Sequence, residues 1–177
     1  MHELNPDDTI LTLRRTLPSG ESAVLVTIRG DGTMEYGTAY EPDAAARAFW
    51  EALYSQYRDA FITAVAAAAH MANRAYCMAL GDDSQPEWVD APEWQQSSAR
   101  SGVVAALDPN QTPEKSHEAW LAQKLRDGWR YGPVKDAEQK IHPCMREYSN
   151  LSEAQRLKDE VFLSVVRAVA PVLGLTK

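Results

Sequence analysis

At 177 residues, with 45% of them apolar, the chain is long enough to bury a core as one domain or as two small ones. A formal charge of −7 argues against a general DNA or anionic-membrane binder, because such proteins cluster Lys and Arg to displace counterions or meet lipid head groups. The charge is uneven, with 11 Lys and Arg against 9 Asp and Glu from Pro113 onward and 7 against 16 before it, so a small anionic ligand would prefer the C-terminal part.

Two β-branched, apolar runs, Thr9 to Leu13 and Ala23 to Ile28, are separated by Leu17-Pro18-Ser19-Gly20-Glu21, which is turn chemistry. They are expected to pair antiparallel. Asp31-Gly32 then joins the second run to a short third one, and this dipeptide predicts a tight type I′ hairpin and a three-stranded meander over residues 9 to 37. So small a sheet needs a helix over one face. The next segment supplies it: Pro42 suits a first helical residue, Asp43 complements a helix N-terminus, and no Gly or Pro interrupts Asp43 to Leu80.

Within that long helix Phe49, Trp50, Leu53, Tyr54, Tyr57, Phe61, Ile62, Val65, Ala69 and Ala72 recur at three- and four-residue steps, the spacing of an apolar stripe. The stripe outruns a three-stranded meander. Part of it is expected to pack on the C-terminal module or on a second copy of the chain, making a homo-oligomer. Gly81 to Pro86 ends the helix, and Ala91-Pro92-Glu93-Trp94 opens a shorter one running to about Leu107. A polar loop from Asp108 to Pro113 precedes a helix from Ser116, a candidate N-cap, to Arg126, with Gly128 as its stop. The last helix is expected over Ser152 to Val169, capped by Ser152 and burying Leu157, Val161, Phe162, Val165, Val166 and Val169.

The N-terminus has no basic region followed by an apolar one, so no secretory signal is expected. Ala64 to Ala69, the most apolar run, is far too short to span a bilayer. Cys77 and Cys144 are too few and too far apart for a disulfide framework, and a cytoplasmic location with no membrane contact is the expectation.

From His117 the chain reads H-E-A-W-L-A-Q-K-L-R-D-G-W-R-Y-G-P-V-K-D, followed by Lys140-Ile141-His142-Pro143-Cys144, Tyr148, Leu151 and Lys158-Asp159. This resembles the RyR domain, the ryanodine-receptor repeat, with its H-x-x-W-x-x-x-K-x-x-x-G-W-x-Y-G signature, a later His-Pro and an apolar closing helix. The stretch from His70 through Trp88 and Trp94 is similar to what precedes that domain in small bacterial and phage proteins. The resemblance implies a non-catalytic module of two helices and short extended segments with a polar and aromatic cleft, and bacterial and phage relatives are regarded as sensors or binders of nucleotide-derived signals. It implies neither an ion channel nor a cofactor. The expected fold is therefore α+β, mainly α: a β-meander over residues 1–40, the long helix with a shorter helix and loops over 41–112, and a helical RyR-like module over 113–177.

Trp120 lies three residues after His117 and four before Lys124, so one helix face carries all three. Trp129 and Tyr131 flank Arg130 in an extended segment and are expected on one side of it. With Lys124, Lys135, His142 and Arg146 nearby, these aromatics form a candidate site that stacks a base and holds a phosphate. The alternative reading makes Trp120 and Trp129 core aromatics, the cations solvated surface charge, and His142 a structural histidine donating to backbone beside the Pro143 turn. Glu87, Asp90 and Glu93, with Asp82 and Asp83, read as a solvated acidic loop, and Trp88 and Trp94 beside it are candidates for a lid. Cys144 has no recognisable base or oxyanion site, no Gly-rich phosphate loop or nucleophile elbow is present, and an enzyme is not expected.

The leading expectation is a protein binding a nucleotide-like small molecule through Trp120, Lys124, Trp129, Tyr131, Lys135, His142 and Arg146, which in a phage would sequester a host defence signal. The alternative is a protein-interaction or assembly module using the long aromatic helix.

Overall fold

The computed structural model describes residues 9–38 and 40–175. Residues 1–8 and 39 of the expected meander segment, and 176–177 of the expected C-terminal domain, lie outside the described residues. Two compact units divide the chain, residues 1–63 with 169–177 and residues 64–168. The fold is α+β and mainly α. Among the described residues no helix is long and apolar enough to cross a membrane.

The first unit begins with β1 (Thr9–Thr16), β2 (Ser22–Arg29) and β3 (Met34–Tyr36), an antiparallel sheet in the order β1-β2-β3. Both hairpins use one device. The N–H of Gly20 bonds to the carbonyl of Leu17, the N–H of Gly32 to that of Arg29, and both glycines have positive φ, at 85° and 89°. These are three-residue loops with a glycine bulge, so Asp31-Gly32 does not make the expected type I′ turn. The reason is local: Asp31 keeps a negative φ and its carboxylate accepts the Thr33 N–H at 2.8 Å, leaving Gly32 alone in the left-handed region.

The long helix α1 (Ala44–Ala79) starts two residues later than Pro42 suggested. Asp43 is its N-cap, its carboxylate accepting the Ala46 N–H at 2.8 Å, and Pro42 precedes the cap. In this unit Trp50 packs with Val26 and Ile28 of β2, and Met34, Tyr36 and Tyr54 border that cluster. Leu11 and Leu13 pair opposite Ile28 and Val26 yet stay exposed, as do Phe49, Leu53 and Tyr57 of α1.

The second unit holds the rest of α1, 3₁₀ turns at Trp88–Asp90 and Tyr148–Asn150, α2 (Glu93–Ala106), α3 (Pro113–Arg126), and α4 (Glu153–Val169) up to residue 168. Between α3 and α4, β4 (Arg130–Tyr131) and β5 (Ile141–His142) pair parallel. Ser152 caps α4 through a reciprocal box: its hydroxyl accepts the Gln155 N–H at 3.2 Å, and the Gln155 side chain accepts the Ser152 N–H at 3.0 Å. Of the expected α4 stripe only Val166 is buried; Val161, Phe162, Val165 and Val169 are half-buried, Leu157 is exposed, and Leu163, outside that stripe, is buried, so the buried face centres nearer Leu163.

Candidate functional site

The local sequence of α3 explains how the site is aimed. Thr112, not Ser116, is the N-cap; its hydroxyl accepts the Lys115 N–H at 3.2 Å, and Pro113 occupies the first helical position, where no N–H is needed. Starting three residues earlier still leaves His117, Trp120 and Lys124 on one face. Past the helix the chain reverses at Gly128, and the Trp129 N–H donates to the Lys124 carbonyl at 2.9 Å, which returns the indole onto the helix it has left. β4 then pairs with β5 so closely that a Cβ on Gly132 would run into the Ile141 side chain.

These elements, with the second half of α1, α2 and α4, wall a cavity of about 560 Å³ inside the second unit. Aromatic rings occupy one part of it. Trp94 of α2 lies 5.2 Å from Trp129, ring centre to ring centre, and His142 meets Trp120 edge-on at 5.1 Å and Trp129 at 6.3 Å. The Lys124 ammonium lies beside this indole pair, 4.4 Å from the Trp94 ring and 5.3 Å from that of Trp129. Lys124 is 2% exposed and has no ion pair or side-chain hydrogen bond among the described residues. Burial lowers its pKa, and the Asp127 carboxylate, which is not in ion-pair contact, offsets this only in part. Cation–π contact offsets on the order of 1–2 kcal/mol, less than the several kcal/mol that desolvating an ion costs, so this ammonium is short of a counter-charge.

Two more lysines face the same cavity. Burial also lowers the pKa of Lys135. For Lys158 burial pulls the same way, but the Cys77 sulfur, Cys144 and Asp82 together outweigh it and leave the group more basic than usual. Its ammonium lies 3.8 Å from the Asp82 carboxylate.

The histidines divide by what their nitrogens meet. His117 is fully engaged: Nε2 bonds to the Arg146 carbonyl at 2.8 Å and Nδ1 lies 3.5 Å from Asp159. Burial lowers its pKa, but those acceptors favour the charged ring more, and the net shift is upward. In His142, Nδ1 accepts the Cys144 N–H at 3.0 Å, so the ring accepts from backbone where the sequence suggested it donates, and its own proton resides on Nε2. Burial first, and Lys135, Lys158 and Lys124 after it, push its pKa down to about 4.

The α1 wall contributes Asn73, whose Oδ1 is buried with no hydrogen-bond partner among the described residues. An unmatched buried acceptor costs on the order of 1–3 kcal/mol.

Of the seven residues the sequence singled out, Trp120, Lys124, Trp129, Lys135 and His142 line this cavity. Tyr131 and Arg146 do not; the Arg146 guanidinium covers the Tyr131 ring at 4.2 Å, and Tyr131 is 48% exposed. Trp129 and Tyr131 therefore occupy different surroundings: β4 begins only at Arg130, so the strand alternation invoked for them does not reach Trp129. In the acidic loop Asp82 pairs with Lys158 and Glu87 lies 3.8 Å from Arg74. Trp88 packs on His70 at 5.6 Å, whereas Trp94, its companion in the expected lid, belongs to the cavity wall. Sequence reasoning did not select Lys158, Asp159 or Asn73 for the site, and for Asn73 no motif existed that could have done so.

Fold and site define a helical module, tied by a two-strand parallel ladder, around a cavity of indoles and buried cations. Residues 108–169 match the sequence model of the RyR domain. The chain carries an RyR domain over those residues, and the α1 and α2 walls of the cavity lie outside the match.

Proposed function

We propose that the protein is a non-catalytic binder of a nucleotide-derived anionic small molecule, serving to sense that molecule or, in a phage setting, to sequester it. The observation that carries this reading is the buried Lys124 ammonium beside Trp94 and Trp129 with no carboxylate in ion-pair contact with it. A phosphate would supply the missing counter-charge, Lys135 and Lys158 add to the attraction, and the His142 Nε2–H is a neutral donor to an oxyanion. Indole faces accept any base at about 1–3 kcal/mol per stack. The candidate acid–base and nucleophilic groups favour binding over turnover. His117 has both nitrogens engaged, His142 is held neutral, and burial pushes the Cys144 thiol up to about 11.

Calorimetry with adenosine monophosphate, ADP-ribose and cyclic dinucleotides tests this. At least one should release heat, and Lys124→Met should weaken that ligand roughly ten-fold or more while leaving thermal stability equal or higher, since an apolar chain of similar volume replaces a buried ion. No heat from any of them overturns the reading.

A second reading, assembly through the first half of α1, is favoured by Phe49, Leu53 and Tyr57, which stand exposed at four-residue steps, Phe49 at 59%. It concerns the other unit and does not compete for the cavity.

A further inference from the structure

Among the described residues β1 is an edge of the three-stranded sheet, paired with β2 on one side alone. Leu11 and Leu13 stand opposite Ile28 and Val26, so they share the sheet face that Trp50 covers at β2, yet both are exposed. Arg14 and Arg15 follow them, exposed and without an ion pair or side-chain hydrogen bond among the described residues. An open row of backbone donors and acceptors beside uncovered leucines is a template for another strand. The amino-acid sequence says which strand fits it. Asp7-Asp8 precedes β1 and Arg14-Arg15 follows its apolar part, so the segment from 7 to 15 is acidic at one end, basic at the other and symmetric about Leu11.

We propose that β1 pairs antiparallel with β1 of a second copy of this chain, two-fold about Leu11, joining two three-stranded sheets into one. In that register Arg14 lies opposite the partner's Asp8, Arg15 opposite the partner's Asp7, Leu11 opposite the partner's Leu11 and Leu13 opposite the partner's Thr9. Every charged pair at the junction is attractive. A parallel, in-register pairing sets arginine on arginine instead, and like charges directly opposite destabilise a ladder. Charge therefore selects the two-fold antiparallel arrangement, an isologous contact that closes at a dimer. The two arginines, with the register irregularities of β1 between Thr9 and Leu11 and between Leu13 and Arg14, blunt this edge towards strands in general. A strand that brings carboxylates opposite both arginines overcomes that bar, and β1 is preceded by such a pair in its own chain. The junction uses neither the cavity nor the exposed stripe of α1, so it stands independently of the nucleotide reading.

Sedimentation equilibrium on the full chain in low salt should show a dimer. Arg14→Asp with Arg15→Asp puts carboxylates at both ends of the segment and should raise the dissociation constant roughly ten-fold or more, as should Asp7→Arg with Asp8→Arg. Mixing these two variants should restore association as a heterodimer, which a variant that had lost its fold could not do. Leu11→Cys reads the register directly: the two thiols face each other at Cβ separations of about 4.5–5.5 Å, and mild oxidation with diamide should link the copies. Leu13→Cys places its thiols about 14 Å apart and should not link. Cys77 and Cys144 are buried and do not compete. A wild-type monomer at the highest soluble concentration overturns the proposal and leaves the edge to another protein's strand or to solvent. A dimer that survives both charge reversals overturns it as well, and if Phe49→Ser dissociates that dimer, the contact belongs to α1.

Discussion

The two units differ in what they bury, not in what they expose; both leave large apolar side chains at the surface, Val89, Leu125 and Val134 among them in the second. In residues 1–63 with 169–177, large apolar side chains are left exposed: Leu11 and Leu13 on β1, and Phe49, Leu53 and Tyr57 on α1. In residues 64–168, groups that water normally keeps are buried, among them His70, His117, Lys124 and Asn73 Oδ1. Scattered exposed apolar groups are ordinary on protein surfaces, whereas a buried polar group must be hydrogen-bonded, paired or waiting for a partner. His117 is bonded at both ends, which makes it structural. Lys124 and Asn73 Oδ1 are not, and on this asymmetry rests the choice of the second unit for the proposed site.

The largest expected effect probes whether the tryptophans of that unit hold the fold together. Trp129→Ala should destabilise the protein by about 3–5 kcal/mol in urea unfolding, because Trp129 is buried against Trp94 and His142. A loss below about 1 kcal/mol would mean that the indole belongs to the pocket alone and that the second unit tolerates its absence.

A smaller effect concerns acid. The pKa of His142 is depressed from 6.5 to about 4, so the unfolded chain binds its proton first as pH falls. Stability is intact above 6.5 and declines as pH drops toward 4, by up to about 3 kcal/mol from this group. His117, whose pKa is raised, contributes with the opposite sign and softens the decline. His142→Asn should flatten the dependence of the urea midpoint over this window; an unchanged slope would show that the ring is not held neutral.

The smallest effect is expected in the first unit. Phe49→Ser should change stability by no more than about 0.5 kcal/mol, given that the ring is 59% exposed. Sedimentation sharpens the contrast: a dimer of wild type that Phe49→Ser dissociates would mean that the exposed stripe is covered by a second copy, and a monomer for both would leave it as solvated surface.

The legible parts of the fold share a property. The β-branched runs and their turns, the Ser152 cap and the Gly128 stop each depend on side chains a few residues apart, and such signals are local. Local ambiguity explains the misreadings. Thr112 and Ser116 are both competent caps four residues apart, and Pro113 favours the first. Asp31-Gly32 suits two hairpin loops, and the carboxylate of Asp31 selects the bulged one. For the site, α3 spacing placed His117, Trp120 and Lys124 on one face and the Gly-Trp motif brought Trp129 back to it, but no local rule tied Trp94 or Asn73 to them.

What the sequence by itself determined is the order and type of the elements and the presence of an RyR domain, because periodicity, caps and the H-x-x-W…G-W-x-Y-G register are written within short spans. Only the tertiary structure decided which polar groups lose water. It turned Arg146 onto Tyr131 and away from the cavity, set Lys124 beside two indoles from different segments, and left Asn73 Oδ1 unmatched. Burial and pairing depend on residues tens of positions apart, and their free energies arise only when those residues meet.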